Sequence, residues 1–227
     1  NSIGALQPST DRERASIALS YRCLTLTDVC WVRYQGDKST FEEVNLFENH
    51  LSNAFIEVSL RGKQLSATNQ DLAPDLSTSG FFPKAWVRKE DGFWLFKDGD
   101  PEYVVNELLA SRILQCFDLD QVIYLPDTFD HQMVSSSKIC TDLHHSICTW
   151  EHFSIYALNT DISAGDYCLF LDPKNYYRMN IVDYLIGNTD RHWGNWGFLV
   201  DTESNRPLRL HPLMDFNQAF HAYTDLT

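Results

Sequence analysis

Short runs of alternating apolar and polar residues fill much of the chain before residue 140, and longer helical spacings dominate after it. Ala85-Trp-Val-Arg88 and Phe93-Trp-Leu-Phe-Lys97, joined by the turn signal Glu90-Asp-Gly92, predict a β-hairpin. Pro101 and Glu102 suit a helix N-terminus. Val105, Leu108, Leu109, Arg112, Ile113 and Phe117 then recur at helical spacing, which predicts a helix over about Glu102–Phe117. Gln121–Leu125, closed by Pro126, and Gln132–Cys140 read as strands. Thr149–Leu158 and Lys174–Ile186 read as helices, the second with apolar or aromatic residues at Tyr177, Ile181, Val182, Tyr184, Leu185 and Ile186 and a stop at Gly187 and Asn188. Gly197–Val200 and Leu208–Leu210 are short strands around a turn at Asp201-Thr-Glu-Ser-Asn205.

Before the hairpin the pattern is weaker. Arg12, Glu13, Arg14 and Ala15 open a short helix in a polar stretch. Leu24–Tyr34 is β-branched and aromatic, so part of it is expected to be strand. Trp31, Phe41, Leu46 and Phe47 are large anchors for packing an N-terminal extension onto the main body. Ala54–Leu60 reads as a strand, and Gln64–Ser79, rich in Ser, Thr, Asn, Asp and Pro, as a loop. The order is strands, one helix, more strands, then mainly helices. This is an α+β arrangement of a β-rich lobe followed by a helical one. The expected divisions are an extension over 1–60, a β-rich lobe over 61–140 and a helical lobe over 141–227. The chain crosses between lobes near 139–142, and clefts between lobes favour ligands.

Composition narrows the classes. Of 227 residues, 44% are hydrophobic, which suits a folded core and not a disordered chain. Lys and Arg number 18 against 31 Asp and Glu, a net charge of −13, which argues against direct nucleic-acid binding. No apolar run is long enough for a membrane span. The six cysteines form no C-x-x-C pair and follow no secretory signal, so they read as reduced thiols of a cytoplasmic protein. The chain starts at Asn1 and ends soon after its densest motif, as a trimmed or truncated piece would.

That motif is Asn188-Thr-Asp-Arg-His-Trp-Gly-Asn195, on a loop after a helix and before a strand. Met214-Asp-Phe-Asn217 follows about twenty residues later. A carboxylate and an amide converging on one point suit Mg²⁺, which takes oxygen ligands and keeps waters and phosphates. A further carboxylate can orient or accept the proton of an attacking hydroxyl. Protein kinases divide labour in this way between an Asp, an Asn five residues on, and a later Asp-Phe. Lys97 ends an apolar strand, where an unpaired ammonium would be costly to bury. Glu107, ten residues on, is a candidate partner. Asp75-Leu-Ser-Thr-Ser-Gly-Phe-Phe-Pro-Lys84 offers backbone N–H groups that a phosphate can approach at Gly80, although Gly-Lys-Ser/Thr of a Walker loop is absent.

Over residues 76–220 this set resembles the HipA-like serine/threonine kinases of bacterial toxin–antitoxin systems. Ser77-Thr-Ser-Gly-Phe-Phe-Pro-Lys84 is similar to that family's phosphate loop, with Phe82 where the family often has Gln. Trp94-Leu-Phe-Lys97 resembles the strand with the ATP-binding lysine, and Asn106-Glu-Leu-Leu-Ala-Ser111 the helix with its glutamate partner. Gly187–Asn195 is similar to the catalytic loop and Met214-Asp-Phe216 to the metal motif. Asp-Arg-His-x-x-Asn also occurs in phosphatidylinositol kinases of the same broad architecture.

The resemblance implies a two-lobed protein kinase-like fold that binds ATP and Mg²⁺. It assigns the acceptor hydroxyl to Asp190, with His192 organising the loop. Asn195 and Asp215 would hold the metal. Ser79, Gly80, Lys97 and Glu107 would serve the phosphates, and Ser137, Lys138, Ile139 and Cys140 the adenine. Ser77, Thr78 and Ser79 become candidates for autophosphorylation that ejects the loop. A protein substrate with a Ser or Thr acceptor and an antitoxin-like partner are implied as well. Two other readings share these residues: a nucleotide-binding pseudokinase, and the same fold acting on a lipid or transferring AMP.

Overall fold

The structure is a computed structural model that describes residues 10–49, 59–60, 63–64, 72–74, 84–97, 99–129, 131–221 and 223. In chain order the elements are α1 (Asp11–Ser20), α2 (Phe41–Val44), β1 (Ser59–Leu60), β2 (Lys63–Gln64), β3 (Leu72–Pro74), β4 (Lys84–Lys89), β5 (Gly92–Lys97) and α3 (Pro101–Leu114). There follow β6 (Tyr124–Phe129), β7 (Gln132–Lys138), β8 (His145–Thr149), α4 (Trp150–Asn159), α5 (Ala164–Leu171), α6 (Pro173–Leu185), β9 (Gly197–Asp201) and β10 (Arg206–Leu210).

The expected hairpin is β4–β5, with Lys84 opposite Lys97. It lies within an antiparallel sheet of order β3-β4-β5-β7-β6, and α3 packs on β6 and β7. Asp100 caps α3 by accepting the Glu102 N–H, and Pro101 supplies a first helical residue that needs no donor. Residues 139–144 lead to a second antiparallel sheet, β8-β9-β10, with α4, α5 and α6 around it. Its core gathers Phe153, Met179, Val182, Ile186, Phe198, Leu210 and Phe216. Gly197 lies against β8 so closely that a Cβ would sit 2.2 Å from the Cys148 carbonyl oxygen. The result is the expected mixed α/β arrangement of two lobes.

A separate core lies on the other side of the hairpin. Tyr21, Leu24, Leu26, Val44 and Leu46 pack on Trp86 and Phe93, with Trp31, Phe41 and Phe47 at its margin. Arg88 Nη2 donates to the carbonyls of Leu46 and Asn49, and buried Arg22 pairs with Asp37. The same segment reaches across the crossing point. Leu26 O accepts from Thr141 Oγ1, and Thr27 O accepts the Ile147 N–H of β8 at 2.8 Å.

Several expectations are corrected. Leu24–Tyr34 contains no strand. The Thr27 and Asp28 N–H groups donate to Thr25 Oγ1, and the Cys30 N–H donates to Asp28 Oδ1, so local side-chain bonds replace a ladder. Pro126 does not close its strand, because β6 is an edge and tolerates a residue without an N–H. Gln121 instead bridges Leu213, and the Val122 N–H donates to Leu213 O. The helix expected over 102–117 ends at Leu114. Within the Gln64–Ser79 loop, Gln64 ends β2 and Leu72–Pro74 forms β3. Of Ala54–Leu60, only Ser59–Leu60 lies within the described residues, and it pairs with β2. Strand β8 and helix α5 were not anticipated. Among the described residues no helix is long and apolar enough to cross a membrane, and all six cysteines are free.

Candidate active site

Lys97, the last residue of β5, points into the space between the lobes and is buried. Its Nζ lies 2.6 Å from Glu107 Oε1, 3.1 Å from Asp215 Oδ1 and 3.3 Å from Tyr124 Oη. Glu107 comes from the inner face of α3, and its Oε2 accepts a 2.5 Å bond from Ser135 Oγ, the β7 residue opposite Lys97. Burial alone would push the lysine pKa down. The carboxylates of Asp215 and Glu107 outweigh it and hold the ammonium charged well above the ordinary range. Burial likewise works against charge on Asp215, yet Lys97, Lys84 and Arg191 hold its pKa down to about 2. Asp215, only partly buried, keeps its second carboxylate oxygen, Oδ2, clear of the Lys97 bond.

The catalytic-loop motif begins where α6 ends. Asp183, buried in the last turn of α6, accepts from Arg191 Nε at 2.8 Å and Nη2 at 3.0 Å, a bidentate pair. Arg191 Nη1 also donates to Asn195 O at 2.9 Å and to Met214 O at 2.7 Å. One guanidinium thus ties α6, the loop and the Asp215 segment together. Asp183 Oδ1 further accepts from Asn188 Nδ2, and Asn188 Oδ1 accepts the Asp190 N–H at 3.2 Å. Asn195 is buried and spends its Nδ2 on Asp190 O at 2.9 Å, which leaves its Oδ1 as the oxygen donor that a hard cation takes. Asn195 and the ionised Asp215 are the residues that could hold such a metal.

His192 is exposed, and its Nδ1 accepts the Gly194 N–H at 3.0 Å. A Cβ on Gly194 would lie 2.9 Å from the His192 ring and would displace the folded-back imidazole. The ring thus braces the loop's own turn. Ser137 is buried on β7, and the exposed Lys138 side chain pairs with Asp91. The Ile139 N–H donates to Phe93 O, and Cys140, whose thiol pKa burial pushes up to about 11, packs against the second lobe's core. Ser77, Thr78, Ser79 and Gly80 lie outside the described residues. The structure therefore gathers Lys97, Glu107 and Asp215 directly, joins Asn195 to the Asp215 segment through Arg191, and ties Asp190 to Asn195.

Five contributors carry roles that the sequence does not assign. Asp183 had a visible signal, as an acid inside the apolar run Ile181–Ile186. Arg191 lay within the motif itself. Tyr124 and Ser135 gave none, since their roles depend on strand register, and Lys84 is placed by pairing opposite Lys97.

His211, buried just after β10, donates its Nδ1–H to Pro212 O at 2.8 Å. Burial, with help from Arg191 and Arg209, lowers its pKa to about 4 from 6.5. The unfolded chain therefore takes up this proton below pH 6.5, whereas the folded chain resists until about pH 4. Its contribution of about 3 kcal/mol is complete above pH 6.5 and fades as pH falls to 4. Urea midpoints of the wild type should decline through that window, and His211→Gln should flatten the decline. An equal slope in the variant would assign the proton elsewhere.

No family model matches the chain. It is 35% identical over 72 residues to the serine/threonine-protein kinase CtkA of Helicobacter pylori, covering 30% of this chain and 22% of that protein. The crystal structure of the H. pylori proinflammatory kinase CtkA superposes with a TM-score of 0.55 at 20% identity, covering 67% of this chain and 60% of that one. The chain thus spans less than two thirds of the relatives it matches. The likeness is one of fold, and the fold is kinase-like.

Proposed function

We propose that the chain is an ATP- and Mg²⁺-dependent phosphotransferase of HipA-like type, acting on a Ser or Thr hydroxyl of a protein. The observation that carries this reading is Lys97 Nζ bonded to both Glu107 and Asp215, with Asn195 fixed to the Asp215 segment by Arg191 and Asp190 held by Asn195. Lys97 neutralises the α- and β-phosphates while Glu107, steadied by Ser135, fixes its direction. Asn195 and Asp215 hold Mg²⁺, which when bound neutralises charge on the phosphate oxygens. Asp190 orients the acceptor hydroxyl and receives its proton as the oxygen–γ-phosphorus bond forms and the bond to the β–γ bridging oxygen breaks. The adenine lies along Ser137–Cys140, and Ser77, Thr78 and Ser79 are the hydroxyls available for autophosphorylation. An antitoxin-like partner and a toxin's role belong to the same reading.

The test is incubation of the chain with γ-labelled ATP, Mg²⁺ and a protein acceptor that offers Ser and Thr, with a parallel EDTA arm and an α-labelled ATP arm. Label from the γ-position on Ser or Thr, lost with EDTA, is expected. Label from the α-position would replace this reading with AMP transfer. ATP binding without any label would make the chain a pseudokinase.

A further inference from the structure

Tyr124 opens β6, is 5% exposed, and touches Lys97 without a part in the proposed transfer itself. Its backbone N–H donates to Ser111 Oγ of α3 at 3.0 Å, which ties the start of β6 to that helix. Its hydroxyl oxygen accepts from two separate segments: Lys97 Nζ at 3.3 Å and the Asp215 backbone N–H at 3.1 Å. Lys97 Nζ lies 4.9 Å from the ring centroid, and the Phe216 ring meets Tyr124 edge-on at 6.1 Å. Asp215 itself has φ +63°, in the left-handed region that a non-glycine residue keeps only when its surroundings hold it there.

We propose that Tyr124 is a positioning residue: its hydroxyl holds the Asp215 backbone in that conformation and sets the spacing between Asp215 and Lys97. The spacing then sets how well the site takes magnesium-bound nucleotide, a consequence that rests on the proposed function. A hydroxyl suits the task because it can accept from both an ammonium and an amide without adding a charge. Burial pushes the phenol's pKa well above its ordinary value, so it stays neutral throughout the working range. Phenylalanine keeps the ring, the contact with Phe216 and the bond from the Tyr124 N–H, and removes only the shared acceptor.

The experiment compares the full chain with its Tyr124→Phe variant by two readouts. Without nucleotide, hydrogen exchange of the Asp215 amide should quicken about tenfold in the variant, because its acceptor is gone. With nucleotide, the Mg²⁺ concentration for half-maximal phosphoryl transfer should rise about tenfold, as seen when supports behind metal ligands are removed, and kcat at saturating Mg²⁺ should fall less. A role confined to packing would leave the Asp215 exchange, the Mg²⁺ dependence and the melting temperature near their wild-type values, because phenylalanine keeps the ring. Unchanged Asp215 exchange overturns the proposal. Faster exchange with unchanged Mg²⁺ dependence overturns its consequence for the nucleotide. A wild type that neither transfers phosphate nor binds ATP overturns the kinase reading instead, while the exchange measurement still decides whether Tyr124 holds Asp215.

Discussion

Asp190→Asn is expected to cut phosphoryl transfer by about 10²- to 10⁴-fold while ATP binding stays within about threefold. The variant isolates the carboxylate because the backbone of residue 190 is fixed by groups that the change leaves alone. The Asp190 N–H donates to Asn188 Oδ1, and its carbonyl accepts from His192 N and Asn195 Nδ2. Asparagine has the same shape but cannot accept the acceptor's proton. Single-turnover transfer and calorimetric ATP titration, run on the same preparations, separate the two effects. Transfer near the wild-type rate would remove Asp190 from the reaction, and loss of ATP binding would show that the loop had moved.

Asp183→Ala is expected to lower stability by about 3–5 kcal/mol, since it strands a partly buried guanidinium. Arg191 would keep its bonds to Asn195 O and Met214 O but lose its hold on α6, and Asn188 would lose the oxygen that aligns it beneath Asp190. The loss should appear as a lower urea midpoint together with weaker ATP binding, because the same carboxylate serves the core and the loop. Arg191→Lys should do part of this damage. An ammonium has no planar fork to span the carboxylate and the two carbonyls at once. A urea midpoint within the error of the wild type for Asp183→Ala would make the pair no more than a surface contact.

The helix that carries Glu107 shows why some of the molecule was legible and some was not. Its position and length were readable, but its inward face was not. Val105, Leu109 and Ile113, part of the apolar pattern that marked it, are substantially exposed, whereas Val104, Glu107, Ala110, Ser111 and Leu114 are buried. The buried face is partly polar because it serves Lys97 and Tyr124, so hydrophobic periodicity points away from the site. Helix α6 repeats the pattern, with Tyr177, Ile181 and Tyr184 exposed and Met179, Val182 and Asp183 buried. The hairpin was legible for the opposite reason: strong strand formers flank an Asp-Gly turn, and local preference agrees with the final pairing. Lys97 and Asp215 stand out in the sequence through spacing and neighbours. Tyr124 and Ser135 do not, because nothing local relates residue 124 to residue 215, or residue 135 to residue 107. Residues 24–34 misled because threonine and aspartate there close turns with their own backbone, which overrides β-branched composition.

The contacts of Leu26 and Thr27 with Thr141 and Ile147 carry a mechanical consequence. Leu26 and Thr27 add hydrogen bonds beside the covalent crossing at residues 139–144, and Val122 with Leu213 and Lys97 with Asp215 add others between the same two lobes. Each of these bonds must stretch or break before the cleft can widen, so the segment around residues 26 and 27 acts as a splint on the crossing.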